Sequence, residues 1–326
     1  MILWVAVSAS LYTETPIAAY QAANDPAKPL NALERWQVDA ELVKIAEKIK
    51  EAVSQPITAP QQGSPSSPPQ PMPGKLLIGK QPFEPEMILI PAGEFLMGSD
   101  PQQGKAAQDV EQPQHRLSLP DYYLAKTPVT NAQYRAFVLA TGHEGPRGWT
   151  NRTPPCDEEH HPVVNVTWYD AKDYCQWLAE VTGKDYRLPG EAEWEKGVRG
   201  TDGRIYPWGS QWDATRCNSE ENGLGKATSV DTYPQAASPY GVLDMAGIVW
   251  EWTCSLWGRT VENPDYRYPY MPTDGREDLE APERIRRVQR GGAFVSNRER
   301  VRCTCRVRNV PDVWGRNFGF RVVMHP

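Results

Sequence analysis

The 326-residue chain carries 12 Trp, 14 Tyr, 25 Gly and 31 Pro, with a formal net charge of −6. That length holds one large domain or a domain with an appendage, and the aromatic and turn-forming residues predict a folded core threaded with loops. The acidic balance argues against a general nucleic-acid binder, and no apolar run is long enough to span a membrane.

The chain opens on an apolar stretch, Met1 to Ser8, without a basic leader, and passes directly into Leu11-Tyr12-Thr13-Glu14. It reads as a buried strand rather than a signal peptide. Ala40 to Lys50 places Leu42, Ile45, Ala46 and Ile49 on one helical face. Residues 1–54 therefore predict a strand and a helix, too little to bury a core alone. Residues 55–80, rich in Pro, Ser and Gln, predict a solvated, semi-extended linker.

Residues 84–326 read as one domain. Met87 to Gly98 predicts two short strands around a Pro/Gly turn. Thr130-Asn131-Ala132-Gln133 has capping-box spacing and predicts a helix with Tyr134, Phe137 and Val138 facing inward. Thr167 opens a second helix that runs to Gly183, with Trp168, Ala171, Tyr174, Cys175 and Leu178 inside. Glu191, Glu193 and Glu195 fall on a third predicted helix and read as a solvated turn with structural contacts, not a paired acid and base. The six cysteines, Cys156, Cys175, Cys217, Cys254, Cys303 and Cys305, show no zinc or redox spacing and read as reduced, cytoplasmic thiols.

Several segments of this domain, taken in order, resemble the formylglycine-generating (sulfatase-modifying) enzyme family. They are Pro91-Ala92-Gly93-Glu94-Phe95 with Met97-Gly98-Ser99, Thr127-Pro128-Val129-Thr130-Asn131, and His161-Pro162-Val163-Val164-Asn165-Val166. Arg187-Leu188-Pro189-Gly190-Glu191-Ala192-Glu193-Trp194-Glu195, Tyr206-Pro207-Trp208-Gly209 and Gly247-Ile248-Val249-Trp250-Glu251-Trp252 follow. Arg290-Gly291-Gly292-Ala293-Phe294 and Gly319-Phe320-Arg321-Val322-Val323 close the series. The resemblance implies an irregular α/β (α+β) fold of the C-type lectin type, with few regular elements and many loops.

The family's enzymes hold copper with two thiolates, because Cu(I) prefers sulfur. The resemblance places those positions on Ser296 and Val301, which carry no sulfur, so it implies no copper and no catalytic residues. The alternative is a divergent, copper-independent oxidoreductase. The family's calcium chemistry maps onto the side chains of Asn218 and Asp231 and the carbonyls of Ser219 and Tyr233, an oxygen set suited to a structural Ca²⁺. The bland reading of the same residues is a turn cap and a local hydrogen bond. A second calcium site would need an Asn where this chain has Ile248.

Residues 288–323 resemble the variable region of proteins diversified by diversity-generating retroelements. The frame reads Arg290-Gly291-Gly292, then Arg302-Cys303-Thr304-Cys305-Arg306-Val307-Arg308-Asn309-Val310-Pro311-Asp312, then Phe318-Gly319-Phe320-Arg321. The variable positions fall on Phe294, Val295, Ser296, Cys303, Cys305, Val307, Val310, Val313, Gly315 and Phe318, each reachable from an AAY codon by changing adenines. With Trp314 they are the candidate ligand-binding residues of an apolar, aromatic-anchored face. Completion of the core is the competing reading of these apolar residues. Strand alternation from Arg302 to Arg308 would set Cys303, Cys305 and Val307 on one face and the arginines on the other. Those arginines read as partners of Asp and Glu rather than as a phosphate-binding face. The implied partner is an unidentified protein ligand, with neither nucleic acid nor membrane involved.

Trp4 to Tyr12, Tyr20 to Pro26 and the helix at 40–50 resemble the C-terminal part of a bacterial Toll/interleukin-receptor domain, from which no activity carries over.

Overall fold

The computed structural model describes residues 81–102 and 107–326. The segment 1–54, with its Toll/interleukin-receptor resemblance, and the 55–80 linker lie outside the described residues.

The predicted pair of short strands is present as β1 (Met87–Ile90) and β2 (Gly93–Met97). They do not pair with each other. β1 runs antiparallel to β4 (Tyr122–Ala125), and β2 runs antiparallel to β3 (His115–Leu119). The Pro91-Ala92 link thus passes the chain from one sheet to another. The first sheet is completed by β5 (Asp185–Arg187) and β10 (Val323–His325), in the order β1-β4-β10-β5. A further sheet holds β6 (Trp250–Gly258), β7 (Arg286–Arg290), β8 (Arg306–Asn309) and β9 (Phe318–Phe320), in the order β8-β7-β6-β9. β6 and β9 are parallel; the other pairings in that sheet are antiparallel.

Both predicted capping boxes form. Thr130 Oγ1 accepts from the Gln133 N–H while the Gln133 side chain accepts from the Thr130 N–H, opening α1 (Asn131–Thr141). Thr167 and Asp170 do the same for α2 (Trp168–Thr182), which stops at Gly183 in the left-handed conformation. Each box satisfies first-turn N–H groups that the helix itself cannot. The expected inner faces of both helices, Cys175 included, are buried together with Trp252, Phe320 and Val322 in one aromatic core. Tyr134 stacks on Tyr174 at 5.7 Å between centroids, and the edge of Phe320 meets both rings.

The third helix, α3 (Glu191–Arg199), departs from the expectation of a solvated turn: all nine of its residues are buried. Lys196 Nζ donates to the Pro91 and Gly93 carbonyls, and the Gly98 N–H donates to Glu195, so the β1–β2 link and the end of β2 close over the helix. Its carboxylates are buried because distant guanidinium groups meet them there, which spares the desolvation cost of an isolated charge.

Strand alternation from Arg302 to Arg308 is also corrected. Residues 302–305 form a turn closed by the Cys305 N–H on the Arg302 carbonyl, and the strand begins only at Arg306. Cys303 packs among Ile90, Tyr122, Trp194 and Met245, whereas Cys305 packs with Trp250 and Ala293.

Candidate functional site

The C-terminal segment is pinned by arginines. Arg302 makes a two-pronged pair with Glu111 at 2.7 and 2.8 Å, joined by Ser99 and Thr304 hydroxyls on the same carboxylate. Arg290 Nη2 donates to Glu195, and Arg306 Nη2 to Glu191 at 2.8 Å. Arg321 grips Glu251 through two hydrogen bonds, and the Trp194 indole N–H adds a third at 2.7 Å. Arg287 donates to the Cys254 and Asp278 carbonyls and lies 3.9 Å over the Trp168 ring. Of the arginines expected to pair with Asp and Glu, Arg290, Arg302 and Arg306 do so, whereas Arg287 is held by carbonyls and Arg308 makes no ion pair among the described residues. Their fork geometry suits such two-pronged bonds.

Between the pinned arginines the chain turns sharply at Gly291-Gly292. Gly292 has φ 76°, and a Cβ there would stand 2.6 Å from Val301 and 2.9 Å from the Arg300 carbonyl, so only glycine fits. The turn aims the next residues inward. Phe294 is 3% exposed, with Arg316 over its ring at 5.4 Å. Ser296 is buried, and its hydroxyl accepts from the Ala293 N–H at 3.1 Å. Val301 is fully buried against Tyr206, Cys217 and Ala246.

Four candidate ligand-binding residues, Phe294, Ser296, Cys303 and Cys305, are therefore sealed from solvent as the structure stands, which corrects their expected display. The physical reason is the pinning itself: Arg302 and Arg290 draw the 302–305 turn onto Glu111 and Glu195. Burial pushes both the Cys303 and Cys305 thiols up to about 12, the state of inert core thiols. No disulfide joins any of the six cysteines, and Cys156 alone is exposed.

The remaining candidates reach the surface. Trp314 is 47% and Val295 45% exposed; Val307, Val310, Val313, Gly315 and Phe318 are half-buried. Val313 and Phe318 rest on the aromatic core, and Val307 and Phe318 on Trp250 and Cys305. The loop between β8 and β9 is fixed from below. The Asn165 N–H donates to the Gly315 carbonyl at 3.0 Å, the Trp168 N–H to the Pro311 carbonyl at 3.0 Å, and the Trp250 N–H to the Asn317 carbonyl at 2.8 Å. Sequence reasoning missed Arg147, an exposed residue whose guanidinium sits 4.8 Å over the Trp314 ring, and Arg316 beside Phe294. Nothing local marks Arg147, which arrives from a loop more than a hundred residues upstream. The surface so built is a rigidly mounted, aromatic-anchored apolar patch edged by two cations.

The calcium candidates lie elsewhere. Asn218 is buried, its amide donates to the Lys226 carbonyl at 2.9 Å, and its Oδ1 has no hydrogen-bond partner. Ser219 is buried, Tyr233 half-buried, and Asp231 exposed in the left-handed conformation at φ 57°. The Asp231 N–H donates to Asp244, whose other carboxyl oxygen is also unpartnered and whose ionisation burial pushes up to about 6. An orphaned buried amide oxygen is the kind of donor a hard cation accepts. Ile248 is buried at φ 64° and offers only backbone groups there, its N–H donating to the Asn218 carbonyl. Among the described residues no three His, Cys, Asp or Glu side chains cluster into a metal centre, and no helix is long and apolar enough to cross a membrane.

Comparison with known proteins places this architecture. Residues 76–326 match the family described as "Sulfatase-modifying factor enzyme 1-like domain". The formylglycine-generating enzyme of Mus musculus is 30% identical over 294 residues, covering 72% of this chain and 74% of that protein. The serine/threonine-protein kinase Pkn1 of Chlamydia trachomatis is 34% identical over 263 residues, covering 75% of this chain but only 39% of Pkn1. Among solved structures, Treponema denticola variable protein 1 superposes with a TM-score of 0.56 at 23% identity, over 74% of this chain and 95% of that one, and so shares its fold.

Proposed function

The chain belongs to the sulfatase-modifying factor enzyme 1-like family, and from that premise we propose that it is a non-catalytic ligand-binding protein. The observation that carries the reading is the state of the two positions where the family's copper enzymes place thiolates. Ser296 is buried with its hydroxyl engaged, and Val301 is packed in an apolar cluster. Neither offers the soft sulfur that Cu(I) requires. Cys303 and Cys305 lie in separate clusters, each protonated by burial.

The binding surface of this reading is the patch of Val295, Val307, Val310, Val313, Trp314, Gly315 and Phe318, with Arg147 and Arg316 at its edge. A half-exposed Trp flanked by Arg on a fixed loop is the composition from which interface anchors are built. The partner of this reading is a protein. The fold shared with Treponema denticola variable protein 1, together with adenine-reachable residues at these positions, supports a surface that is diversified rather than fixed. Ca²⁺ held by Asn218, Asp231 and the carbonyls of Ser219 and Tyr233 would brace the loop that carries them.

Three measurements test this. Incubation with Cu(I) and a Cys-x-Pro-x-Arg peptide is expected to give no aldehyde; aldehyde formation overturns the non-catalytic reading. The gene's neighbourhood is expected to hold a reverse transcriptase and a near-copy of the last hundred or so bases differing only at adenines; without them the diversified surface is abandoned. Ca²⁺ at a hundredfold excess over its Kd would stabilise the fold by about 2.7 kcal/mol, so chelation is expected to lower the Tm, and an Asn218→Ala variant to remove that response.

A further inference from the structure

Nine arginines crowd residues 284–308: Arg284, Arg286, Arg287, Arg290, Arg298, Arg300, Arg302, Arg306 and Arg308. Arg290, Arg302 and Arg306 are ion-paired, and Arg287 is held by carbonyls. Subtracting these leaves five, of which Arg286, Arg300 and Arg308 have no ion pair among the described residues. Arg308, on β8, lies diagonally across from Arg286 on β7, since Arg308 pairs with Val288. Arg308 is half-buried, and its guanidinium sits 5.1 Å over the Trp257 ring. Burial disfavours its charge most, the fields of Arg300 and Arg286 add to that, and the field of Glu262 opposes it. Among the described residues the Arg286 side chain donates only to the Arg259 carbonyl. Arg300 and Arg308 make no side-chain hydrogen bond or ion pair among the described residues.

The backbone beside this group is also unclaimed. β8 is the outer strand of its sheet, and residues 307–309 make no backbone hydrogen bond except to β7 among the described residues. An outer strand presents N–H and C=O groups that template a further strand. Strand alternation puts Val307 and Asn309, whose amide bonds Gln289, on one face of the sheet, and Arg306 and Arg308 over Trp257 on the other.

We propose that β8 is a docking edge for an extended acidic segment of a partner protein. Its backbone would add a strand beside residues 307–309, and its carboxylates would meet Arg286, Arg300 and Arg308. Strand addition supplies backbone hydrogen bonds, and alternate side chains of the added strand fall on the arginine face. Charge complementarity sets the sign of the partner: this is a local cluster of three unpaired cations on a chain of net charge −6. A nucleic acid fits less well, because the one aromatic ring of the cluster, Trp257, is fully buried and offers no base a stacking surface. The edge shares Val307 with the Trp314 patch, but its charged contacts lie on the opposite, arginine face, so the inference goes beyond the proposed binding reading and does not need it.

The test uses the full chain at low ionic strength and a fluorescein-labelled heptapeptide of alternating Glu and Val, read by anisotropy. Binding is expected, weakened about tenfold by Arg308→Gln and by Arg300→Gln, since charge-assisted hydrogen bonds are worth about that factor or more. Arg300 is exposed, so its variant reports even where Arg308→Gln disturbs the Trp257 contact. The same peptide N-methylated at alternate amides keeps its charge and is expected to bind about tenfold more weakly. Arg135→Gln, on the surface of α1, and Trp314→Ala are expected to leave peptide binding unchanged. No binding of the peptide, equal binding by the arginine variants, equal binding of the methylated peptide, or tighter binding of a seven-nucleotide single strand would each overturn the proposal. None of these outcomes bears on the Trp314 patch.

Discussion

Two stretches of the C-terminal segment, adjacent in sequence, meet opposite fates. Residues 302–306 are wholly buried, their arginines matched to Glu111 and Glu191, whereas residues 310–318 ride over the core and leave Trp314 in solvent. Both are rich in residues that hydropathy alone does not sort. The difference teaches that a charged frame can fix the backbone from inside while the positions between its anchors are released to the surface.

The contrast is broken most directly from the buried side. Glu195 receives Arg290, Arg199 and the Gly98 N–H. Glu195→Ala strands those donors and is expected to cost about 3–5 kcal/mol in urea unfolding, the range for halving a buried pair. A loss below about 1 kcal/mol would mean the arginines find other partners and do not pin the segment.

Acid probes the same frame through Glu193. Burial raises its carboxyl, but the His325 hydrogen bond and Arg187 overcome that and hold it at about 2, against an ordinary 4.5. A depressed carboxylate stabilises the fold above its unfolded pKa and loses that contribution as pH falls through its folded pKa. Stability is therefore expected to drop by about 3 kcal/mol between pH 5 and pH 1.5 through this group, from 1.36 kcal/mol per unit. Glu193→Gln is expected to flatten that part of the profile, and an unchanged profile would remove Glu193 from the account.

Cys303 sharpens the boundary. Cys303→Ser places a hydroxyl among Ile90, Trp194 and Met245 and is expected to cost about 1–3 kcal/mol. In the native protein at pH 8 only Cys156 is expected to react promptly with a thiol reagent, and all six cysteines in denaturant. Rapid labelling of Cys303 or Cys305 would put them back on the surface. The smallest effect belongs to the exposed stretch. Trp314→Ser and Val295→Ser are each expected to stay within about 0.5 kcal/mol of the parent in stability, as surface substitutions do. A larger loss would make these side chains part of the core rather than of a binding face.

Much of this was legible along the chain. Thr130 with Gln133, Thr167 with Asp170, and the inner faces of the two helices follow from local spacing, because a capping box closes within four residues and a helix repeats its apolar face every three or four. The arginines at 290, 302 and 306 were legible as partners of acids, but not which acids. The burial of Glu191, Glu193 and Glu195 was not legible, because a helix with three carboxylates in its first two turns looks solvated until guanidinium groups from elsewhere reach it.

The sequence by itself determined the family scaffold, both capping boxes, the glycine turn at 291–292 and the loss of sulfur at 296 and 301. These depend on residue identity or on contacts within one turn. The tertiary structure alone decided that Phe294, Ser296, Cys303 and Cys305 turn inward while Val295 and Trp314 face water. That choice rests on ion pairs such as Arg302–Glu111 and Arg290–Glu195, whose partners lie 191 and 95 residues apart. No local pattern encodes a charge neutralised at that distance.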